Sequence, residues 1–226
     1  MSRPATRLYL VTPLLHDTAA FARELEAVLA AGDVAAVLLR LADTDERSLV
    51  NRAKAVAPAV QSRDIALLID GRAEIVGRAG ADGAHLTGMT AFEAAVGALK
   101  PDRIAGVGGL LSRHDAMLAG ESGADYVMFG DPAPGADPEP GAAAGSLPPR
   151  QHGRRPPFAD VLERVAWWAE LFQPPCIGYA EAEDEIGPLA QAGADFIALG
   201  DWIWRHPRDA SAAVAAATQR LAAPAP

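Results

Sequence analysis

Between residues 67 and 88 the chain reads LLIDGRAEIVGRAGADGAHLTG, which sets Asp70, Arg72 and His85 beside short apolar runs. A carboxylate, a guanidinium and an imidazole at the ends of buried strands are the groups that move protons or hold an anion. His85 suits a ligand contact and a packed core hydrogen bond equally well. Near the C-terminus, GDWIWRHP sets Asp201 before Trp202 and Trp204. The indoles suit cover for a heteroaromatic ring or a partner surface, and Asp201 suits a helix cap. Arg150, His152, Arg154 and Arg155 form a basic cluster that reads as a solvated loop or, less simply, as a phosphate contact. The five histidines show no metal-ligand spacing. The single cysteine, Cys176, lies in PPCIGY and reads as a small buried residue of a protein kept in a reducing compartment.

Bulk properties narrow the classes. The formal net charge is -9, from 20 Lys+Arg and 29 Asp+Glu. No broad basic field exists to meet nucleic acid or an anionic membrane surface. The start, MSRPATRLYLVTPLLHD, holds an apolar run too short for a signal core or a membrane span. The expected setting is cytoplasmic, without nucleic-acid or membrane partners.

The elements that must position these groups alternate regularly. Strand-like runs fall at 7–12, 34–40, 65–69, 82–86, 103–108, 125–129, 175–179 and 195–199. Helical apolar spacing falls near 17–31, 45–63, 72–80, 90–100, 112–123, 158–172, 183–193 and 207–222. Three joints repeat one signature, AGADG at 79–83, SGADY at 122–126 and AGADF at 192–196. Gly80, Gly123 and Gly193 are expected to stop helices in the left-handed conformation. Asp82, Asp125 and Asp195 are expected to open strands as structural groups. Eight such units predict an α/β chain, a single (β/α)8 TIM barrel over residues 1–226. A doubly wound sheet is the alternative, but the first strand-to-helix turn, VTPLLHD, has no glycine fingerprint. A Pro/Gly-rich insertion at about 131–157 follows the sixth strand and reads equally as a disordered segment or a mobile lid.

The ordered set YLVT, LLR, DGAHL, GADYVMFG and GADFIALG resembles the thiamine phosphate synthase and TenI superfamily, single barrels of this length. For the synthases this resemblance implies magnesium-assisted departure of a pyrimidine diphosphate and attack by a thiazole phosphate. The family's Gln-x-Arg-x-Lys pattern reads here Leu38, Arg40, Ala42, so only the arginine is kept. The metal-binding Asp of its Asn-Asp-Arg pattern falls on Gly71, one residue from Asp70. The second metal Asp falls on Thr90, the pyrophosphate-binding Ser near Gly108, and a Lys near Pro138. The glycine turn after the seventh strand maps onto Ala180-Glu181, with Gly178 just before it. The small polar turn after the eighth becomes Gly200-Asp201, where a carboxylate opposes a phosphate by about 4 kcal/mol at ~4 Å and an effective dielectric near ~20.

TenI proteins use a His just after the sixth strand to shift a proton during aromatisation. Asp131 stands in that place and is the catalytic candidate. The resemblance thus implies a ligand site at Arg40, Asp70, Arg72, His85, Gly108, Gly178, Gly200, Asp201 and Trp202. It implies a thiazole or pyrimidine phosphate as small-molecule ligand, and a homo-oligomer is compatible with it. No cofactor is expected, or Mg2+ if synthase activity is retained; no metal ligand is assigned. Three functions follow: a synthase-family barrel with lost or altered synthase activity, a silent ligand- or partner-binding homologue, or a TenI-like tautomerase using Asp131.

Overall fold

The computed structural model describes residues 5–131, 155–206 and 208–222. Eight parallel strands close into a barrel in chain order. They are β1 (Arg7–Val11), β2 (Val34–Leu39), β3 (Ala66–Asp70), β4 (Gly83–Thr87), β5 (Ile104–Gly108), β6 (Tyr126–Phe129), β7 (Cys176–Ala180) and β8 (Phe196–Leu199). The first pairs with the last, Leu8 beside Ile197 and Leu10 beside Leu199. The outer helices are α1 (Ala19–Leu29), α2 (Glu46–Gln61), α3 (Val76–Ala79), α4 (Met89–Leu99), α5 (Arg113–Glu121), α6 (Phe158–Leu171), α7 (Ile186–Gln191), α8 (Asp201–Trp204) and α9 (Ala210–Ala222). The barrel expected from alternating runs is the barrel found. The 131–157 expectation lies outside the described residues except for Asp131 and 155–157.

Strands here bury both faces, which is why they read as continuous apolar runs. Alternate residues serve two layers. Leu8, Leu10, Val37, Leu39, Leu67 and Ile69 pack outward against helices. Tyr9, Val11, Leu38, Leu68, Tyr126, Met128, Ile177 and Tyr179 fill the interior. Cys176 is fully buried, as a small apolar residue would be.

The repeated joints do what their residue types dictate. Gly80, Gly123 and Gly193 adopt positive φ of 71°, 88° and 97° at helix ends. Each following aspartate then accepts an N–H at the start of the preceding strand. Asp82 takes Leu67 N–H at 2.7 Å, Asp125 takes Ala105 N–H at 2.7 Å, and Asp195 takes Cys176 N–H at 2.9 Å. Asp125 also binds Lys100, so one of the chain's two lysines is used at the barrel's N-terminal end. These aspartates are structural, as expected. No helix among the described residues is long and apolar enough to cross a membrane.

Candidate active site

The site sits at the C-terminal ends of the strands, where barrel chemistry is carried. It is built on a chain of buried hydroxyls. Tyr9 Oη and Tyr126 Oη lie 2.9 Å apart, and Tyr126 Oη lies 2.9 Å from His85 Nδ1. The His85 ring stacks on Tyr126 with centroids 5.7 Å apart. His85 is 3% exposed, and burial lowers its pKa to about 4, so the imidazole is neutral at neutral pH. Where Tyr126 donates to Nδ1, the neutral ring carries its hydrogen on Nε2, beside Gly108. Burial raises both tyrosines, which keeps them as hydroxyl donors.

Strand β5 makes the room. A side chain at Gly106 would strike the Tyr126 ring, with its Cβ only 2.0 Å from Cζ. Two residues on, a Cβ at Gly108 would lie 2.8 Å from His85 Nε2 and 2.6 Å from Asp131 Oδ2. Glycine inside a strand marks such close approaches. Asp131 follows β6, and both its oxygens accept from Gly109 N–H, at 3.1 and 2.9 Å. Its carboxyl group is enclosed although the residue as a whole is half-buried. Enclosure raises its pKa to about 6, the Gly109 N–H opposes this, and Asp70 adds a small upward push. A carboxyl poised near neutrality and a neutral imidazole thus face one space.

Arg40 and Asp70 stand on the neighbouring side of the mouth as an ion pair at 3.6 Å. Thr12 fixes the approach by accepting Arg40 N–H at 3.0 Å. Of the remaining sequence candidates, Gly200 lies under Tyr179, whose Oη would be 1.7 Å from a Cβ there. Asp201 opens α8 and pairs with Arg205 at 2.8 Å.

Three of the candidates have partners away from His85 and Asp131. Arg72 turns to Asp43 at 2.7 Å and to Glu74 at 3.9 Å, and no contact joins it to His85 or Asp131. Gly178 faces outward: its absent Cβ points at Leu189 Cδ2, 2.8 Å away on α7, so it serves helix packing and not the mouth. Trp202 packs with the outer layer and donates Nε1–H to Ala180 O at 3.1 Å, while Trp204 donates to Val11 O at 2.8 Å. Both indoles tie α8 to strand ends instead of covering a ring. Within the basic cluster, Arg155 alone is described. Its guanidinium donates to Gly130 O, Tyr179 O and the Glu185 carboxylate at 3.0, 2.6 and 2.8 Å. It is a clamp between the ends of β6 and β7. The sequence reading missed this clamp, the buried Tyr9, Tyr126 and Tyr179, and Gly106. Their signals were tyrosines inside apolar strands, which need hydroxyl partners, and the glycines two apart in RIAGVG.

A magnesium clamp needs converging oxygen ligands. Among the described residues no group of three His, Cys, Asp or Glu converges. Of the two carboxylates deepest in the mouth, Asp70 is paired with Arg40 and Asp131 is bound to Gly109 N–H. Magnesium keeps several waters and takes one or two carboxylates beside substrate phosphates, so Asp70 and Asp131 are the groups that would hold it here.

Fold and site together define a (β/α)8 barrel with acid–base groups at its C-terminal mouth. The profile of the thiamine monophosphate synthase family matches residues 8–145, and the chain belongs to that family, which serves thiamine biosynthesis. It is 39% identical to the thiamine-phosphate synthase of Rhodospirillum centenum over 211 residues, 92% of this chain and 94% of that protein. It is 37% identical to that of Hyphomonas neptunium, covering 95% and 93% of the two chains. Thiamine phosphate pyrophosphorylase from Pyrococcus furiosus shares the fold with a TM-score of 0.71 at 19% identity, covering 96% and 95%.

Proposed function

We propose that this barrel acts on a small heterocycle of thiamine biosynthesis by proton transfer, with Asp131 as general base, and that synthase activity is lost or altered. The observation that carries the reading is the enclosed Asp131 carboxyl, raised to about 6, across Gly108 from a neutral His85. A base of that pKa is well matched to neutral pH. Asp131 removes a proton from a ring carbon of a non-aromatic thiazole tautomer, and His85 Nε2–H donates to the ring during the shift. The proton returns at another carbon, so the ring becomes aromatic with no oxidant or leaving group. Magnesium-assisted diphosphate departure is poorly supported by Leu38, Ala42, Gly71 and Thr90 at the motif positions. The buried thiol Cys176 supports a cytoplasmic setting.

The test is isomerisation of a thiazol-5(2H)-ylidene to the aromatic thiazole in D2O, followed by absorbance and deuterium uptake. Wild type is expected to accelerate it, and Asp131→Asn to lose at least ~100-fold of that rate. Equal rates for the two proteins refute the assignment, and no acceleration by either leaves a silent binding homologue as the better reading. Retained synthase activity is the second reading, favoured by the 39% identity to a thiamine-phosphate synthase across 92% of the chain.

A further inference from the structure

We infer that Tyr126, with Tyr9 behind it, is a positioning residue: a one-way hydrogen-bond chain across the barrel fixes the His85 hydrogen on Nε2, so the imidazole meets the ligand as a donor. This deepens the heterocycle reading above by naming what sets its imidazole.

The chain joins three strands. Tyr9 stands on β1, His85 on β4 and Tyr126 on β6. Tyr126 Oη lies 2.9 Å from Tyr9 Oη and 2.9 Å from His85 Nδ1. Gly106 makes the middle position possible, since a Cβ there would fall 2.3 Å from the same phenol oxygen. Among the described residues, Tyr9 Oη and His85 Nδ1 have Tyr126 as their one hydrogen-bond partner. Tyr9 belongs to the interior cluster with Val11, Leu38, Leu68 and Met128, which offer no side-chain acceptor oxygen.

Counting hydrogens gives the direction. Each phenol has one hydrogen to donate, and a neutral imidazole has one. If Tyr9 donates to Tyr126 and Tyr126 donates to Nδ1, both phenol hydrogens are used and the imidazole hydrogen stands on Nε2. If Nδ1–H donates to Tyr126 instead, one phenol hydrogen is stranded. Either Tyr126 donates on to Tyr9, whose hydrogen then has no acceptor, or Tyr9 also donates to Tyr126, whose own hydrogen then has none. Tyr9 is 1% and Tyr126 6% exposed, and a buried donor without an acceptor is costly. Only the first arrangement strands no hydrogen. Burial also keeps the ring neutral at neutral pH. Its Nε2 then stands beside Gly108, where the strand carries no side chain.

The experiment is imidazole nitrogen NMR on the isotope-labelled full chain, without ligand, at neutral pH. The His85 signals are identified by their loss in His85→Asn. Wild type is expected to carry the hydrogen on Nε2, with Nδ1 shifted by the bond it accepts. Tyr126→Phe keeps the ring and should move the Nδ1 resonance to that of an unbonded nitrogen. Tyr9→Phe should keep the hydrogen on Nε2, because Nδ1 remains the acceptor for Tyr126. A wild-type hydrogen on Nδ1 or on both nitrogens overturns the inference. So does an Nδ1 resonance unmoved by Tyr126→Phe, the result of a role in packing alone, or loss of the Nε2 hydrogen in Tyr9→Phe. These outcomes are read without turnover, so failure here leaves the Asp131 exchange assay to decide the heterocycle reading, and failure of that assay leaves the tautomer standing.

Discussion

His85 and Asp131 face each other across Gly108, with the imidazole Nε2 2.8 Å and the carboxylate Oδ2 2.6 Å from the point where a Cβ would sit. The space between carboxylate and imidazole is therefore the space of one missing methyl group. Gly108→Ala should push both side chains apart and cost about 1–3 kcal/mol of stability. Ligand binding should weaken in the same variant. Urea unfolding and calorimetry measure the two effects. Gly97→Ala is the control, because nothing lies within 4 Å of a Cβ there, in the exposed run of α4. It should be neutral or stabilising by up to ~1 kcal/mol.

The two groups also make opposite contributions to stability against pH. Asp131 is raised from 3.8 to about 6, so it holds its proton more tightly when folded. Its contribution is complete below its unfolded pKa of 3.8 and is lost as pH rises through about 6. His85 is lowered from 6.5 to about 4, so its contribution is present above 6.5 and is lost as pH falls through about 4. Between those folded values the slopes oppose each other. Asp131→Asn removes one of them, and its thermal stability should fall more steeply than that of wild type as pH drops from about 6 to about 4. Parallel profiles would show that the Asp131 carboxyl is not perturbed. The catalysed rate should also fall below about pH 6, as the base becomes protonated.

Arg155 is nearly enclosed, its side chain 9% exposed, beside Glu185 at 15%. Arg155→Ala leaves the Glu185 carboxylate without its counter-charge, still accepting Glu181 N–H at 2.8 Å, and removes a donor from two carbonyls. A loss of about 3–5 kcal/mol is expected in denaturant unfolding, the usual cost of breaking a buried pair. Arg155→Lys should recover only part of it, because one ammonium cannot reproduce the planar fork. Full recovery by lysine would mean that charge alone matters at this joint.

The barrel was legible in the sequence because each strand buries both faces and three of the helix-to-strand joints carry a glycine stop. Gly80, Gly123 and Gly193 state the stop, and Asp82, Asp125 and Asp195 state the strand start, all by local chemistry. Side-chain direction at the strand ends was less legible. Gly178 and Gly108 each follow an apolar run, yet one faces Leu189 outside and the other faces the mouth. Arg72 and Trp202 had suitable types, but Asp43 and Ala180 O, distant in sequence, claim them. The tyrosine chain was hidden for a related reason: in an apolar strand a Tyr reads as bulk until a second strand brings a hydroxyl to it. Arg155 stood in a basic run that suggested solvent, and only its carbonyl and carboxylate partners reveal a clamp.

The most direct test concerns the claim that this mouth works by proton transfer through Asp131 and not by metal-assisted loss of a diphosphate. Pyrophosphate release from a pyrimidine diphosphate with a thiazole phosphate is measured with and without Mg2+, for wild type, Asp131→Asn and Arg40→Ala. The expected result is no enzyme-dependent pyrophosphate with any of the three, alongside Asp131-dependent tautomerisation by wild type. Magnesium-dependent turnover by wild type that is abolished in Arg40→Ala and unchanged in Asp131→Asn would contradict it.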